Sequence, residues 1–458
     1  MLKPVLKNVF LTIFSLTVLW FLFAYEPEPK PVDDGRIHIE YWTMTGQKDQ
    51  ISYAVDRFNE MQDRIVVKRV VIPWQEHEKK VLTAILSGNP PDVMTQFSPL
   101  SQWASRMALI PLDDFIQQDA YDTTVFFPAL WREMNWRGRV FGLPARTASY
   151  AFYYNNELFR QAGLDPARPP RTWTDVREFA SRLVKYDQQG NITQMGYIPE
   201  YGFLPGHGDL ATAIVLAWQM GAEFLTDNGT RVSLTNEASV RALEWVADFY
   251  QEYDRKKIGA FIAGFGYAEQ HAFLADKVAM MMLANTFVEN IADYRPEMDY
   301  SVCIIPSDDG YPSASSSGSW WLSIPKGARN PHAAWEFMKY MVSAETQLAE
   351  ALNTEESLFP TSRAAAYSPL FMTDSTTRIF VEQMEVAHSP AVIPLVHGVF
   401  WREYMGARER AVKGLQTPLA ALQQAEYQIQ IELDKAVRYD QYVHARMHYE
   451  KTGLEKQQ

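Results

Sequence analysis

Apolar and polar residues alternate through residues 37–42, and this period of two predicts a first β-strand. Apolar side chains then recur at helical spacing over residues 49–61, and the β-branched run 65–72 predicts a second strand. A second helix is predicted over 75–87, and a third strand begins at 92–94. The order β-α-β-α-β is typical of an α/β fold whose parallel strands are joined by right-handed crossovers.

The strand ends indicate where a ligand would bind. The first strand ends between Trp42 and Gln47, and the third ends between Gln96 and Ser98. Because ligands of open α/β sheets bind beyond the carboxyl ends of the strands, the pattern places a binding site near these two segments.

The rest of the chain carries further helix and strand signals. Residues 141–154 form an apolar and aromatic run that is typical of a strand. Thr172 and Asp175 have the spacing of a capping box, which predicts a helix starting at Trp173. Further helices are predicted over 236–253, from Asn330-Pro331 to Val342, and across most of 402–450.

The N-terminus has the pattern of a membrane address. Residues 9–25 are uncharged and apolar, and Lys3 and Lys7 precede them. Such a helix is at the short limit for crossing a bilayer, and the lysines favour a cytoplasmic N-terminus. The run lacks the small residues of a secretory cleavage site, so we favour an uncleaved signal anchor over a cleaved signal or a buried helix. The proline-rich stretch 26–31 would then be a stiff spacer that holds an exported body off the membrane.

Composition narrows the possible partners. The chain has 458 residues, enough for about three domains or two large lobes. Lys plus Arg is 43 and Asp plus Glu is 55, and the resulting net charge of −12 argues against nucleic acid, whose phosphates require a basic surface. The single cysteine, Cys303, excludes an internal disulfide and a multi-cysteine zinc site. Aromatic residues make up 13% of the chain and include 13 Trp, which favours a ligand with flat apolar faces.

Motifs for catalysis are lacking in the sequence. There is no phosphate-binding P-loop, no G-x-S-x-G nucleophile elbow and no H-E-x-x-H zinc motif. His444 and His448 have helical spacing, but an exposed, unrelated pair is the simpler interpretation. Cys303 lies in an apolar strand and is interpreted as an inert buried thiol. We therefore expect a protein that is not an enzyme and that needs no cofactor and no metal.

Several segments, in the same order along the chain, resemble the extracellular solute-binding proteins of sugar ABC transporters, the family that includes maltose-binding protein. These segments are FGLP at 141–144 with YYNNELF at 153–159, AGLD at 162–165 with PRTW at 170–173, FLADKVAM at 273–280, SIPKGA at 323–328 with AWEFM at 334–338, and FPTSR at 359–363. The resemblance covers about residues 36–435. The family's usual lipid-attachment cysteine is missing here, which leaves the mode of anchoring open.

The resemblance implies a two-lobed α/β fold of the periplasmic-binding-protein kind, with parallel or mixed sheets and a hinge that closes on a ligand. The implied division is an N-terminal anchor and spacer at 1–35, lobe 1 at 36–146 plus 315–345, lobe 2 at 147–314 plus 346–440, and a C-terminal helical tail at 441–458. The chain would cross between the lobes near 143–150, 305–317 and 345–360.

A sugar presents hydroxyl groups, which need paired donors and acceptors, and C–H faces, which pack on aromatic rings. Candidates at the predicted strand ends and lobe crossings supply both kinds of surface, and the resemblance adds others. The candidate substrate-binding residues are Trp42, Gln47, Lys48, Gln96, Phe97, Arg146, Tyr150, Asn285, Phe287, Trp320 and Trp401. Each also has a simpler structural interpretation as a core, hinge or turn residue. Because neighbours on a strand point to opposite faces, one member of the Trp320–Trp321 pair should face the cleft and the other the core.

The favoured hypothesis is a solute-binding component of an ABC importer that captures a mono- or oligosaccharide by hinge closure and presents it to membrane permease subunits. We expect a monomer on the periplasmic or extracellular face, tethered by residues 9–25. A carbohydrate-active enzyme with a carboxylate pair and a membrane-tethered sugar sensor are the alternatives. The sequence does not identify the sugar.

Overall fold

The computed structural model describes Trp20 and residues 34–45, 53–199, 211–266, 268–354 and 357–455. Apart from Trp20, the predicted membrane segment 9–25 lies outside these residues. Among the helices that the structure describes, none is both long enough and apolar enough to cross a membrane.

The strands, in chain order, are β1 Ile37–Thr45, β2 Ile65–Pro73, β3 Val93–Gln96, β4 Asn135–Trp136, β5 Arg139–Val140, β6 Leu143–Asn155, β7 Lys185–Tyr186, β8 Ile192–Tyr197, β9 Leu225–Thr226, β10 Arg231–Val232, β11 Val278–Ala284, β12 Tyr300–Cys303, β13 Ser315–Ser323, β14 Phe359–Pro360 and β15 Ala387–His388.

The α-helices are α1 Tyr53–Met61, α2 Trp74–Leu86, α3 Leu100–Ala104, α4 Asp113–Gln118, α5 Pro128–Glu133, α6 Asn156–Gln161, α7 Trp173–Leu183, α8 Thr212–Gln219, α9 Glu237–Glu252, α10 Arg255–Ile262, α11 Phe287–Tyr294, α12 Pro331–Met341, α13 Ala344–Asn353, α14 Arg363–Ala366, α15 Ser375–Glu385, α16 His397–Val412 and α17 Pro418–Glu455. Short 3₁₀ turns lie at Thr123–Val125, Asp227–Gly229, Ala268–Gln270 and Pro394–Val396.

Most strands join one eleven-stranded mixed sheet whose main path is β2-β1-β3-β13-β6-β11-β8-β7. Strand β1 pairs in parallel with β2, from Ile37 opposite Ile65 to Thr45 opposite Pro73, and it also pairs in parallel with β3. The predicted parallel start of an α/β fold is therefore confirmed. Strand β13 is antiparallel to both β3 and β6, which makes the sheet mixed.

Local signals set several element boundaries. The side chain of Thr172 accepts a hydrogen bond from the backbone N–H of Asp175, and the Asp175 carboxylate accepts one from the backbone N–H of Thr172, so the predicted capping box starts α7. Pro331 begins α12, as the Asn-Pro pair predicts. Strand β1 continues to Thr45, past the predicted end at residue 42, because its pairing with β2 extends to Pro73.

Two large groups of buried apolar side chains and one small group form the interior of the described residues. The small group consists of Phe127, Leu130, Ala366, Val381 and Met384. The first core joins residues between Ile39 and Ala145 to residues between Trp321 and Val342. The second core joins residues between Ala151 and Ala314 to residues between Phe380 and Leu433. Strand β6 contributes its first half to the first core and its second half to the second, so the long strand connects the two.

Small hydroxyl side chains fill the region where β6 and β13 pass between the two cores. Thr147 Oγ1 and Ser317 Oγ lie 2.7 Å apart in a hydrogen bond, and both residues are fully buried. Ser315 Oγ donates to the carbonyl oxygen of Tyr150 at 2.8 Å. Strand β14 pairs alongside, with Phe359 opposite Thr147. The chain thus passes between the two large cores on β6 and β13, and two small side chains make the Thr147–Ser317 contact between these strands.

The C-terminal helix α17 is continuous over 38 residues. Its first turns pack in the second core through Ala421, Leu422, Ala425, Ile429 and Leu433. The helix then runs through the predicted start of a separate tail at residue 441 without a break.

Candidate functional site

A cavity of about 560 Å³ opens where the two cores meet the crossing strands. Its walls come from five places. These are α2, the turn and short helix after β3, the end of α5 with the β4–β5 hairpin, the crossing strands β6 and β13, and the segment that leads into α16. The lining residues are Glu78, Phe97, Ser98, Pro99, Leu100, Ser101, Gln102, Arg132, Glu133, Asn135, Trp136, Ala148, Tyr150, Ser316, Gly318, Ser319, Trp320, Trp321, Ser389, Pro390, Ala391, Pro394, His397 and Gly398. The volume lies within the 300–1,000 Å³ that is usual for small-molecule sites.

Aromatic rings supply much of the apolar wall. Phe97 and Trp320 lie with ring centroids 6.2 Å apart, and Tyr150 and Trp136 also line the cavity. Trp321 is 1% exposed, and its indole N–H donates to the carbonyl oxygen of Ser98 at 2.9 Å. Of the neighbouring pair on β13, Trp321 is therefore a core side chain with one edge at the cavity, whereas Trp320 is only half-buried.

Glu133 contributes a carboxylate to the cavity wall. The backbone N–H of Ser319 donates to its Oε2 at 3.0 Å, and the hydroxyl of Ser389 donates to its Oε1. Burial nevertheless raises the pKa of Glu133 to about 7. A carboxylate has about four lone-pair positions, so the group retains acceptor capacity for the donors of a ligand.

His397 lies at the start of α16 and faces the same cavity. Burial lowers the pKa of His397 to about 4, which keeps the imidazole neutral near neutral pH. Its Nδ1 is buried and has no hydrogen-bond partner among the described residues. A neutral imidazole with a buried polar nitrogen can donate to or accept from a ligand hydroxyl.

The structure brings together three of the predicted site residues, which are Phe97, Tyr150 and Trp320. Gln47 and Lys48 lie outside the described residues. The other predicted residues lie away from the cavity, each for a physical reason.

Trp42 and Gln96 belong to the strands themselves. Trp42 lies three residues before the end of β1, packs against the first core, and donates its indole N–H to Glu40 at 3.1 Å. Gln96 is 2% exposed, and its Oε1 accepts from the backbone N–H of Phe97 at 2.8 Å. Gln96 therefore shapes the turn that presents Phe97 instead of facing the cavity itself.

Arg146 and Asn285 hold the crossing region together. The guanidinium group of Arg146 donates to Glu350 on α13 at 2.5 Å, at a small separate pocket. Asn285 is 2% exposed, accepts from the backbone N–H of Ser149 at 2.8 Å and donates to the carbonyl oxygen of Ser357 at 2.5 Å. Both side chains are already used in contacts within the protein.

Phe287 and Trp401 are core residues of the second core. Phe287 packs on Tyr153 and on His271, with ring centroids 6.0 Å and 4.6 Å away. Trp401 is 3% exposed and lies between Phe400 and Tyr404 on α16. The first turn of α16 presents His397 and Gly398 to the cavity, whereas Trp401, one turn later and with its ring centroid 6.4 Å from that of His397, is buried in the second core.

Sequence reasoning missed Glu133, Trp136 and the segment 389–398. The tight turn at Arg137-Gly138, with positive φ at both residues, was the available signal for a hairpin that presents Trp136. No pattern marks Glu133, because its role depends on Ser319 and Ser389, which are 186 and 256 residues away along the chain.

Comparisons with known proteins identify the family of the chain. Residues 41–348 match the family of bacterial extracellular solute-binding proteins, and the chain belongs to that family. A Brucella abortus (strain 2308) relative, named only as a binding protein, is 21% identical over 376 residues, which are 79% of this chain and 85% of the relative. The sn-glycerol-3-phosphate-binding periplasmic protein UgpB of Escherichia coli (strain K12) is 26% identical over 154 residues, which are 32% of this chain and 35% of UgpB.

Solved structures share the fold over most of the chain. CpMnBP1 with mannotriose bound superposes with a TM-score of 0.68 and 25% identity, over 86% of this chain and 100% of that one. The sugar-binding protein MalE from Xanthomonas citri superposes with a TM-score of 0.72 and 18% identity, over 89% of this chain and 99% of MalE. The predicted two-lobed solute-binding fold is confirmed, and membership of an extracellular family implies a periplasmic or extracellular location.

Proposed function

We propose that this chain captures a mono- or oligosaccharide in the cavity and presents it unaltered to the permease subunits of an ABC importer. The observation that carries the proposal is the combination of Phe97, Trp136, Tyr150 and Trp320 with the Glu133 carboxylate in one cavity. Aromatic faces match the C–H faces of a sugar ring, and a carboxylate accepts from its hydroxyl groups. The similarity to CpMnBP1, whose structure holds mannotriose, supports a saccharide as the ligand class.

The lobes of this proposal are residues 36–146 plus 315–345 and residues 147–314 plus 346–440. The two large cores support this division, because each of them collects its residues from one of the two sets. The small third group joins the two sets, since it packs Phe127 and Leu130 against Ala366, Val381 and Met384. We place the hinge at the hydroxyl-lined pairing of β6 with β13. Closure around it would bring the cavity walls together and exclude water, which strengthens each hydrogen bond to the ligand.

The proposal also covers the attachment of the protein to the membrane and the absence of bond chemistry in the cavity. The apolar residues 9–25 would tether a monomeric binding protein to the membrane, with 26–31 as spacer. No bond chemistry is assigned to the cavity, in keeping with relatives that are named as binding proteins. Neither the enzyme alternative nor the sensor alternative gains support from the family or from the similar structures.

Replacing Trp320 with alanine should weaken sugar binding by about 1–3 kcal/mol, the contribution of a buried aromatic contact. Isothermal titration with mannotriose, mannobiose and maltotetraose, followed by analysis of the recovered sugar, measures both binding and turnover. The wild-type protein should bind at least one sugar and return it intact. Binding with accumulation of shorter products would overturn the proposal in favour of the enzyme.

The matched control is Trp245→Ala. Trp245 packs with Arg177 and Phe249, away from the cavity, so its loss should lower the melting temperature and leave the dissociation constant unchanged. Equal effects of the two substitutions on affinity would assign Trp320 to the scaffold.

Glu133 should make binding depend on pH. Burial raises the pKa of Glu133 to about 7, so the carboxylate becomes fully ionised only above neutral pH. Hydrogen bonds to a charged acceptor are about 1 kcal/mol stronger than neutral ones, which predicts roughly a three- to fourfold gain in sugar affinity from pH 6 to pH 8. Titration calorimetry at the two pH values should show this gain in the wild type and lose it in Glu133→Gln. A gain that persists in Glu133→Gln would refute this role.

A further inference from the structure

The C-terminal helix α17 is fixed to the second core along its first half. Glu426 accepts hydrogen bonds from the backbone N–H groups of Leu234 at 2.7 Å and Thr235 at 2.9 Å. One turn later, Gln430 Oε1 accepts from the backbone N–H of Val232 at 2.8 Å. These contacts and the apolar face of the helix leave its start little freedom to move relative to the second core.

The same helix then reaches the first core through one buried carboxylate. Asp440 is 2% exposed, and its Oδ1 accepts from the indole N–H of Trp136 at 3.2 Å. Its Oδ2 forms an ion pair with the guanidinium group of Arg137 at the tip of the β4–β5 hairpin. A buried charge requires such partners, so the contact between helix and hairpin is specific.

Trp136 connects this contact to the cavity. Its ring packs against the first core and also lines the cavity, while its N–H donates to Asp440, which is not among the cavity-lining residues. We infer that Asp440 is a positioning residue for the sugar site. It lies on a helix whose first half is fixed to the second core, and its hydrogen bond sets the position of Trp136. This inference rests on the proposed function of the cavity.

A purely structural staple between α17 and the hairpin is the competing interpretation. It predicts that loss of Asp440 lowers stability but does not change ligand affinity. The positioning role predicts a change in the surroundings of the Trp136 indole and a loss of affinity together.

The test compares Asp440→Ala, Asp440→Asn and the control Asp434→Ala in the full chain. Asparagine keeps an oxygen that can accept from Trp136 but cannot pair with Arg137 by charge. Asp434 lies on the same helix, accepts from Gln430 at 2.6 Å and has no described contact with the hairpin. The readouts are the indole ¹H–¹⁵N signal of Trp136, assigned with Trp136→Phe, the dissociation constant for mannotriose, and the melting temperature.

The expected result for Asp440→Ala is a shifted and broadened Trp136 signal with at least a fivefold weaker affinity for mannotriose. Asp440→Asn should show a smaller change of the Trp136 signal and a smaller loss of affinity than Asp440→Ala. Asp434→Ala should change neither the Trp136 signal nor the affinity. An unchanged Trp136 signal, or a shifted signal with unchanged affinity, would overturn the inference. If Asp440→Ala does not fold, a double-mutant cycle of Asp440→Asn with Trp136→Phe tests the inference instead. The effects of the two substitutions on affinity should not add, and additive effects would contradict the inference.

Failure of the proposed function gives a different result. If the wild-type chain binds no mannotriose and no other sugar, the assignment of the cavity as a sugar site fails. The Trp136 signal of the three variants still reports whether Asp440 positions the indole.

Discussion

Replacing Gly196 with alanine will lower the free energy of unfolding by about 3 kcal/mol or more. A Cβ atom at this position of β8 would lie 2.3 Å from the Cα of Ala180 and 2.6 Å from its carbonyl oxygen. Both neighbouring atoms belong to the backbone of α7, and Ala180 is fully buried. Neither can give way as a flexible side chain would, so α7 must separate from the sheet.

Denaturant unfolding of Gly196→Ala measures this effect, with Gly259→Ala as the matched control. Gly259 lies exposed within α10, and a Cβ atom there would have nothing within 4 Å. The same chemical change should therefore stabilise α10 by about 0.5–1 kcal/mol, the usual preference for alanine in a helix. An unfolding midpoint of Gly196→Ala equal to that of the wild type would show that β8 and α7 are not packed this closely.

Acidification from pH 7 to pH 5 will destabilise the folded protein by several kcal/mol. Burial lowers the pKa of His77, His271, His388 and His397 to about 4, against an ordinary value near 6.5 in the unfolded chain. Between these values the unfolded state binds more protons, so stability is present above pH 6.5 and is lost as the pH falls toward 4. For the buried His77 and His271, the loss by pH 5 is about 2 kcal/mol each.

Glu133 changes the folding stability with pH in the opposite direction to the histidines. Because its folded pKa is raised to about 7, the native state binds more protons than the unfolded state between about pH 4.5 and pH 7. Its contribution to stability is therefore largest at low pH and is lost as the pH rises. One such group opposes four histidines, so the net effect of acidification remains a loss.

Urea unfolding at pH 7 and pH 5, in the wild type and in His271→Asn, measures this dependence. The Nδ1 atom of His271 accepts from the backbone N–H of Phe273 at 3.3 Å, and an asparagine oxygen can accept the same hydrogen bond. The variant should lose about 2 kcal/mol less than the wild type over this pH range. An identical loss in both proteins would exclude His271 as a source of the effect.

Patterns within a few residues predicted much of the fold. The alternation in β1, the β-branched run of β2 and the helix between them led to the parallel pairing that the structure shows. The capping box at Thr172 and Asp175 marked the start of α7, because its hydrogen bonds join residues that are close together along the chain. Segment resemblance then predicted the family, which the match over residues 41–348 confirms.

The site was harder to predict because its residues come from distant segments. The alternation of side chains along a strand indicated that Trp320 and Trp321 point to opposite faces. The pairing of β13 with β3 then decided that Trp321 is the one that lies in the core. Similarly, Trp401 is in a helix that borders the cavity, yet the packing of α16 turns it inward and presents His397.

By itself, the sequence determined the element types, the parallel start of the sheet and the family, because periodicity, capping and motif order are properties of neighbouring residues. Only the tertiary structure decided which side chains share the cavity and that α17 joins the second core to the hairpin of the first. Contacts such as Glu133 with Ser389 and Asp440 with Trp136 join residues 256 and 304 positions apart. Such contacts depend on how whole elements pack, and no local pattern contains that information.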